Sequence, residues 1–331
     1  MQKVEFKYKS AGAGRPQIVL LGNGPERFSG QASWNELLQR LNINAGIDLR
    51  SDAEKEKWEQ VPFPLFYELI SLPDKPKQKL EKDDAADQDS RLKKAFAALK
   101  HESNSVLDLL PSLDADHIFT TNYTYCVEKA FFPKKTSFDT AARTAVRFNQ
   151  NPARTENGKQ KRELYCRLHS GYLAKSASGR DTGIWHIHGE CAVSKGIVLG
   201  HDRYGRILSR IVDICGKQDY SKSARGRTEK RFTSWPELFL YGDVYVAGFG
   251  FNLCEFDLWW LLKRKQREVF AEGKVFFYEK EAKEETKRRL LRSCGVQLVD
   301  MGRDGGDYPE FYRDAFADIG KRIKKSREGE D

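Results

Sequence analysis

His186 and His188 stand two apart in WHIHGE, residues 185–190, and Asn122 follows the apolar segment DHIFTT, residues 116–121. An imidazole titrates near neutral pH, so His188, ahead of a Gly189 that leaves room for substrate, suits general-base chemistry. Residues two apart on an extended strand face the same way, so His186 and His188 could instead share a metal ion. No third ligand stands nearby at convincing spacing, and either histidine could be a plain structural residue. Asn122 sits where a strand should give way to a helix, the edge at which open α/β sheets bind ligands. An N-cap would call for the same residue type.

The stretch that must position these groups is QIVLLGNGPERFSGQASWNELL, residues 17–38. Ile18, Val19, Leu20 and Leu21 form a continuous apolar run, as in a parallel strand buried on both faces. Gly22 and Gly24 follow at once and allow a tight turn with close approach of a ligand to the backbone. Ser33 with Glu36 reads as a capping box, ahead of a helix face of Trp34, Leu37, Leu38 and Leu41. A strand, a glycine loop and a helix in this order offer backbone N–H groups to an anion such as a pyrophosphate. An ordinary turn would account for the same pattern.

Further elements follow in order. Residues 44–100 read as a helical insertion, broken at Pro62 and Pro64, with the lysine- and aspartate-rich residues 73–90 as a solvated or mobile loop and a helix over 91–100. Residues 116–121 are a strand and 123–132 a helix. Short strands are expected at 185–190 and 197–199, and a helix carries Ile207, Leu208, Ile211 and Val212. Residues 244–247 open a second half of the sheet, and GFGFN, residues 248–252, is a second glycine-bearing turn, leading to a helix with Phe256, Trp259 and Trp260 in its core face. Strands at 274–279 and 296–300, a charged helix over 281–294 and a final helix over 308–323 complete the chain. The pattern is α/β, a Rossmann-like three-layer parallel sheet with helical and basic insertions.

The chain carries a formal net charge of +9, and residues 133–180 hold eleven Lys or Arg against three Asp or Glu. This basic insertion could meet nucleic acid, an acidic partner or anionic ligands, or be solvated surface. Cysteines at 126, 166, 191, 215, 254 and 294 include no CxxC pair, which argues against a zinc ribbon and for free intracellular thiols. No apolar run approaches a membrane span, so a cytoplasmic chain with no membrane partner is expected.

Four segments, GNGPERFSGQASW, TTNY at 120–123, IHGE at 187–190 followed by IVLGHDRY, and VAGFGFNLCEFDLWW, resemble in content and order the SIR2-like family, the bacterial branch of the sirtuin superfamily. The resemblance implies one SIR2-like domain over 1–331, with a helical insertion at 44–110 and the basic insertion at 133–180 outside the matching core. It implies that NAD+ is bound as substrate, without a metal, and that its nicotinamide–ribose bond is cleaved. His188 and Asn122 would be catalytic, the histidine acting on the ribose hydroxyls and the asparagine orienting the ribose and the attacking water. Gly22, Asn23, Gly24, Arg27, Gly30, Thr121, Gly189, Gly248, Asn252 and Asp257 would contact the nucleotide.

Departures from the family pattern bear on this. Glu26 replaces a serine, and a carboxylate there would repel a pyrophosphate unless it turned away, with Arg27 as compensating or phosphate-binding group. Thr124 replaces an acidic residue linked to nicotinamide recognition. The four zinc-binding cysteines of the protein deacylases are absent, which favours hydrolysis of NAD+ over deacylation. The resemblance further implies an anti-phage effector that depletes NAD+, controlled by homo-oligomerisation or by a partner such as a helicase-like ATPase. A catalytically silent subunit that binds nucleotide or nucleic acid is the alternative, supported by the basic insertion and Glu26.

Overall fold

The computed structural model describes residues 6–9, 12–29, 34–42, 47, 56–58, 61–71, 82–97, 99, 101–133, 147–149, 167–217, 229–269, 271–281, 284–302 and 307–329. Its strands are β1 (Phe6–Tyr8), β2 (Gln17–Leu21), β3 (His117–Thr120), β4 (Arg147–Asn149), β5 (Ser170–Lys175), β6 (Asp181–His186), β7 (Lys230–Phe232), β8 (Asp243–Ala247), β9 (Val275–Glu279) and β10 (Val296–Asp300). Its α-helices are α1 (Trp34–Leu41), α2 (Phe63–Ser71), α3 (Lys82–Ala97), α4 (Cys126–Phe131), α5 (His201–Lys217), α6 (Trp235–Tyr241), α7 (Phe256–Gln266), α8 (Glu285–Ser293) and α9 (Tyr308–Glu328).

The main sheet has the spatial order β10-β9-β8-β2-β3-β6-β5-β4. The strands from β10 to β6 pair in parallel. Numbered along the chain, these parallel strands read 3-2-1-4-5-6 across the sheet, the order of doubly wound dinucleotide-binding folds. Strands β5 and β4 extend the sheet beyond β6 in antiparallel fashion. They come from the segment read as an insertion, so part of it is sheet. Strands β1 and β7 pair separately, antiparallel.

Burial on both faces explains the continuous apolar strands. Ile18, Leu20, Val244 and Val246 enter one core with α5, α6 and α7, whereas Val19, Leu21, Tyr245 and Ala247 enter a second with α4 and α9. A third cluster joins Leu37, Leu38 and Leu41 of α1, Phe66 and Ile70 of α2 and Phe96 of α3 to Tyr123, Ile197 and Leu199. The helical segment thereby leans on the edge of the sheet where Asn122 lies.

Two expectations are corrected. Helix α3 runs through residues 82–90, read from their polarity as loop; residues 73–81 lie outside the described residues. Its alanines and long polar residues are good helix formers, and Leu92, Ala95 and Phe96 are buried in its C-terminal half. Residues 197–199 form no strand, although all three are buried; Val198 N donates to His188 O at 2.8 Å, and no ladder follows. Among the described residues no helix is long and apolar enough to cross a membrane.

Candidate functional site

The last paired residues of four adjacent strands share one level: Ala247 of β8 pairs with Leu21 of β2, Leu21 with Thr120 of β3, and Thr120 with His186 of β6. Gly248, Gly22, Thr121 and Ile187 therefore leave the sheet side by side, with Asn122 and His188 each two residues beyond the paired Thr120 and His186. Neighbouring strands lie about 4.8 Å apart, so the edge from β8 to β6 spans about 14 Å.

The two glycine loops pack on one another. Gly22 N donates to Ala247 O at 3.3 Å and Gly24 N to Gly248 O at 3.0 Å. A Cβ at Gly22 would overlap the backbone of Gly248 and Phe249, and one at Gly24 would overlap the Tyr312 hydroxyl of α9. These glycines thus serve close approach of loop to loop, and two of the amides expected to face an anion are spent on that contact. Asn23 is half-buried and Arg27 exposed. Gly30 lies outside the described residues.

Asn122 is held from three directions. Its Nδ2 donates to Gly22 O at 2.9 Å, its backbone N to Thr120 Oγ1 at 3.1 Å, and its carbonyl lies 2.8 Å from His186 Nδ1. The other ring nitrogen of His186 is 2.7 Å from Glu128 Oε1 in α4. Thr121 continues the ladder, its N donating to Leu21 O at 3.1 Å. Glu26 is 2% exposed and accepts a short hydrogen bond from Thr124 Oγ1. Burial raises its carboxyl above the usual range, against the hydrogen bonds of Thr124 and Asn122 and the charge of His186. The carboxylate that would have repelled a pyrophosphate is therefore turned inward.

The two histidines part company because β6 ends at His186 and the chain turns. His186 packs on Tyr125 and Tyr172 of one core, His188 on Tyr204 of the other. A shared metal ion is thereby excluded for this pair. Gly189 turns at φ +94°, and a Cβ there would strike the Gly196 carbonyl. Glu190 is anchored by Tyr125, Tyr172 and Arg167.

His188 Nε2 lies 2.9 Å from Asp257 Oδ2 and 3.8 Å from Glu255 Oε2. Tyr204 in α5 donates to Glu255 Oε2 at 2.8 Å and sets its ring edge-on to the imidazole, centroids 5.6 Å apart. Burial alone would push the His188 imidazole below its ordinary value; the charges of Asp257 and Glu255, with the Asp257 hydrogen bond, outweigh it and hold the ring above. Burial likewise raises Glu255, against the charge of His188. The segment 248–257 starts at β8 and reaches His188 at β6, so it runs across the ends of β2 and β3. Gly248 and Phe251 make its bends with positive φ, +68° and +46°; for Phe251 this is strained backbone, in place beneath its contacts with Phe249 and Trp259. Asn252 is exposed, and its Oδ1 accepts from Cys254 N at 3.2 Å.

Among the described residues, His188, Glu255 and Asp257 are the group whose ligand atoms all lie within 4.8 Å of one another. The 2.9 Å contact between His188 and Asp257 is that of a hydrogen bond. Asp257, expected at the nucleotide, is fully buried, and its Oδ1 has no hydrogen-bond partner. Glu255 and Tyr204 were not anticipated, because an acidic residue at the start of a helix ordinarily reads as a dipole partner.

Fold order and edge together define a dinucleotide-type α/β protein with an asparagine and a carboxylate-backed histidine at the carboxyl ends of adjacent strands. A family model described as SIR2-like domain matches residues 116–299, more than half of the 331. The chain belongs to the SIR2-like family, which ties it to the NAD-linked chemistry of the sirtuin superfamily. The matched range includes Asn122, His188 and Asp257, while Gly22 and Gly24 precede it. A search of curated proteins gave no match.

Proposed function

We propose that the chain is an NAD+ glycohydrolase that takes NAD+ and water to nicotinamide, ADP-ribose and a proton. The observation that carries this reading is the common level of Asn122 and His188 on β3 and β6, beside the glycine loops of β2 and β8. The N-glycosidic bond breaks with its electron pair going to nicotinamide, and positive charge builds on the ribose. A polar amide and a base beside the sugar stabilise that charge. Asn122 orients the ribose and the water; the water oxygen bonds to C1′, and His188 takes the released proton through a ribose hydroxyl.

Arg27, Asn23 and Gly24 border the pyrophosphate, with Gly22 closing the loop contact beneath, and Gly248 lies at the adenosine half. Thr121 and Gly189 flank the ribose, and Asn252 the adenosine half. No metal enters the reaction. By the resemblance, the enzyme acts on the cytoplasmic NAD+ pool as an anti-phage effector, held inactive as an oligomer or by a partner such as a helicase-like ATPase.

Following NAD+ loss and nicotinamide release together tests the reading. His188→Ala should cost about 10²- to 10⁴-fold in turnover per folded molecule, measured below a melting temperature that falls because the buried Asp257 loses its partner. Undiminished release in both His188→Ala and Asn122→Ala would overturn the site.

A further inference from the structure

We propose that Asp257 is a positioning residue that claims Nε2 of His188 and so leaves Nδ1 as the nitrogen that works on the substrate. The inference deepens the hydrolase reading and rests on it for the identity of that substrate. A neutral imidazole has one donor nitrogen and one acceptor nitrogen. At His188 both nearby carboxylates lie on the Nε2 side, Asp257 Oδ2 at 2.9 Å and Glu255 Oε2 at 3.8 Å. Carboxylates accept, so Nε2 must carry the proton, and the lone pair is left on Nδ1. Nδ1 has no hydrogen bond among the described residues.

Three features make this arrangement a held one. Asp257 is fully buried in the first turn of α7, where the helix N-terminus favours an acid. Glu255, two residues earlier, is itself held by the Tyr204 hydroxyl, so the second carboxylate is fixed as well. Tyr204 also walls the ring edge-on. Glu255 and Asp257 sit at the far end of the segment that crosses from β8, so the loop expected to meet the adenosine half also sets the tautomer of the base at β6.

The charged groups acting on His188 are Asp257 and Glu255, from the start of α7; Tyr204, from α5, acts through Glu255. The test is nitrogen-15 and proton NMR of the full chain, with His188 assigned by comparison with His188→Ala. The neutral ring is expected as the Nε2–H tautomer, and an Nδ1–H tautomer overturns the proposal. In Asp257→Asn the titration midpoint of His188 is expected to fall by about one pH unit or more, a tenfold or greater loss of proton affinity. An unchanged midpoint in a folded variant overturns it. Should the buried Asp257→Asn fail to fold, Glu255→Gln is expected to show a smaller fall in the same direction, and no fall counts against the proposal.

These readouts need no turnover, so they separate failure of this inference from failure of the hydrolase reading. Where turnover is measured, the acid limb of kcat/KM in Asp257→Asn is expected to move to lower pH in step with the NMR midpoint. A residue with only a structural role would lower the rate without moving that limb.

Discussion

Glu26 and Thr124, the two positions at which the chain departs from its family pattern, are hydrogen-bonded to each other across the site edge. The departures are therefore one feature: a carboxyl from the glycine loop tied to a hydroxyl from the segment after β3. Glu26 Oε1 has no hydrogen-bond partner, and burial raises the group above the usual carboxylate range. A raised folded value means that the native state holds the proton more tightly than the unfolded chain, so stability falls as pH rises through that window. Glu26→Gln keeps the shape and removes the titration. Its melting temperature at pH 7 is expected to equal or exceed that of the parent, with the advantage vanishing below the ordinary glutamate range. A variant that is less stable at pH 7 and catches up on acidification would refute this.

His186 gives a second prediction. Its ring bridges the carbonyl of the half-buried Asn122 and the fully buried Glu128. His186→Ala would strand the buried Glu128 carboxylate, whose Oε2 already lacks a partner. Breaking a buried pair from one side costs about 3–5 kcal/mol. Chemical denaturation should show a loss of that order, and His186→Ala/Glu128→Ala together should cost less than the sum of the single variants. Additive losses would mean that the two residues are not coupled.

Much of the fold was legible because its signal is local. Ile18 to Leu21 and Val244 to Ala247 are apolar throughout, since both faces of a central parallel strand are covered, and a glycine follows each run. Asn122 and His188 were legible as strand-end polar residues. The parts that escaped depend on where the chain turns. His186 and His188 share a face only if the strand continues, and it stops at His186. Asp257 lies 69 residues from His188, and Glu255 lies 51 from Tyr204, so only the crossing of segment 248–257 brings them together. The polar sequence of residues 82–90 hid the first half of α3, because the apolar spacing of Leu92, Ala95 and Phe96 comes only after it.

The glycine loops make a third prediction. Gly22→Ala would place a methyl group into the backbone of Gly248 and Phe249, which cannot yield as a side chain could. The expected result is a lower melting temperature and loss of NAD+ binding together, measured by thermal unfolding with and without NAD+. At Gly24 the obstacle is the Tyr312 hydroxyl, so Gly24→Ala combined with Tyr312→Phe should recover part of the loss. No recovery would mean that the Gly248 Cα, 2.9 Å from the added Cβ, sets the limit.

A chelator gives a fourth. If His188, Asp257 and Glu255 form a hydrogen-bonded cluster, a metal-free chain should turn over NAD+ at the untreated rate. Loss of turnover on exhaustive chelation, restored by one divalent ion, would convert the same three side chains into a metal site and remove His188 from the role of base.

Acid stability supplies the last prediction, far from the reaction. His117, at the start of β3, is completely buried; burial lowers its pKa to about 3, and its Nδ1 accepts from Trp185 Nε1 at 3.2 Å. The unfolded chain takes a proton on this ring near pH 6.5, while the native state refuses it until about pH 3. Between those values the unfolded state binds more protons, so stability must fall as pH falls from about 6.5. The full effect of such a shift is about 5 kcal/mol, enough to unfold a domain of ordinary stability. His117→Gln removes the titrating ring and keeps polar atoms for the Trp185 N–H to meet. Urea denaturation from pH 7 to pH 4 should show a shallower loss of stability in that variant than in the parent, whatever their difference at pH 7. Parallel curves would place the acid sensitivity elsewhere.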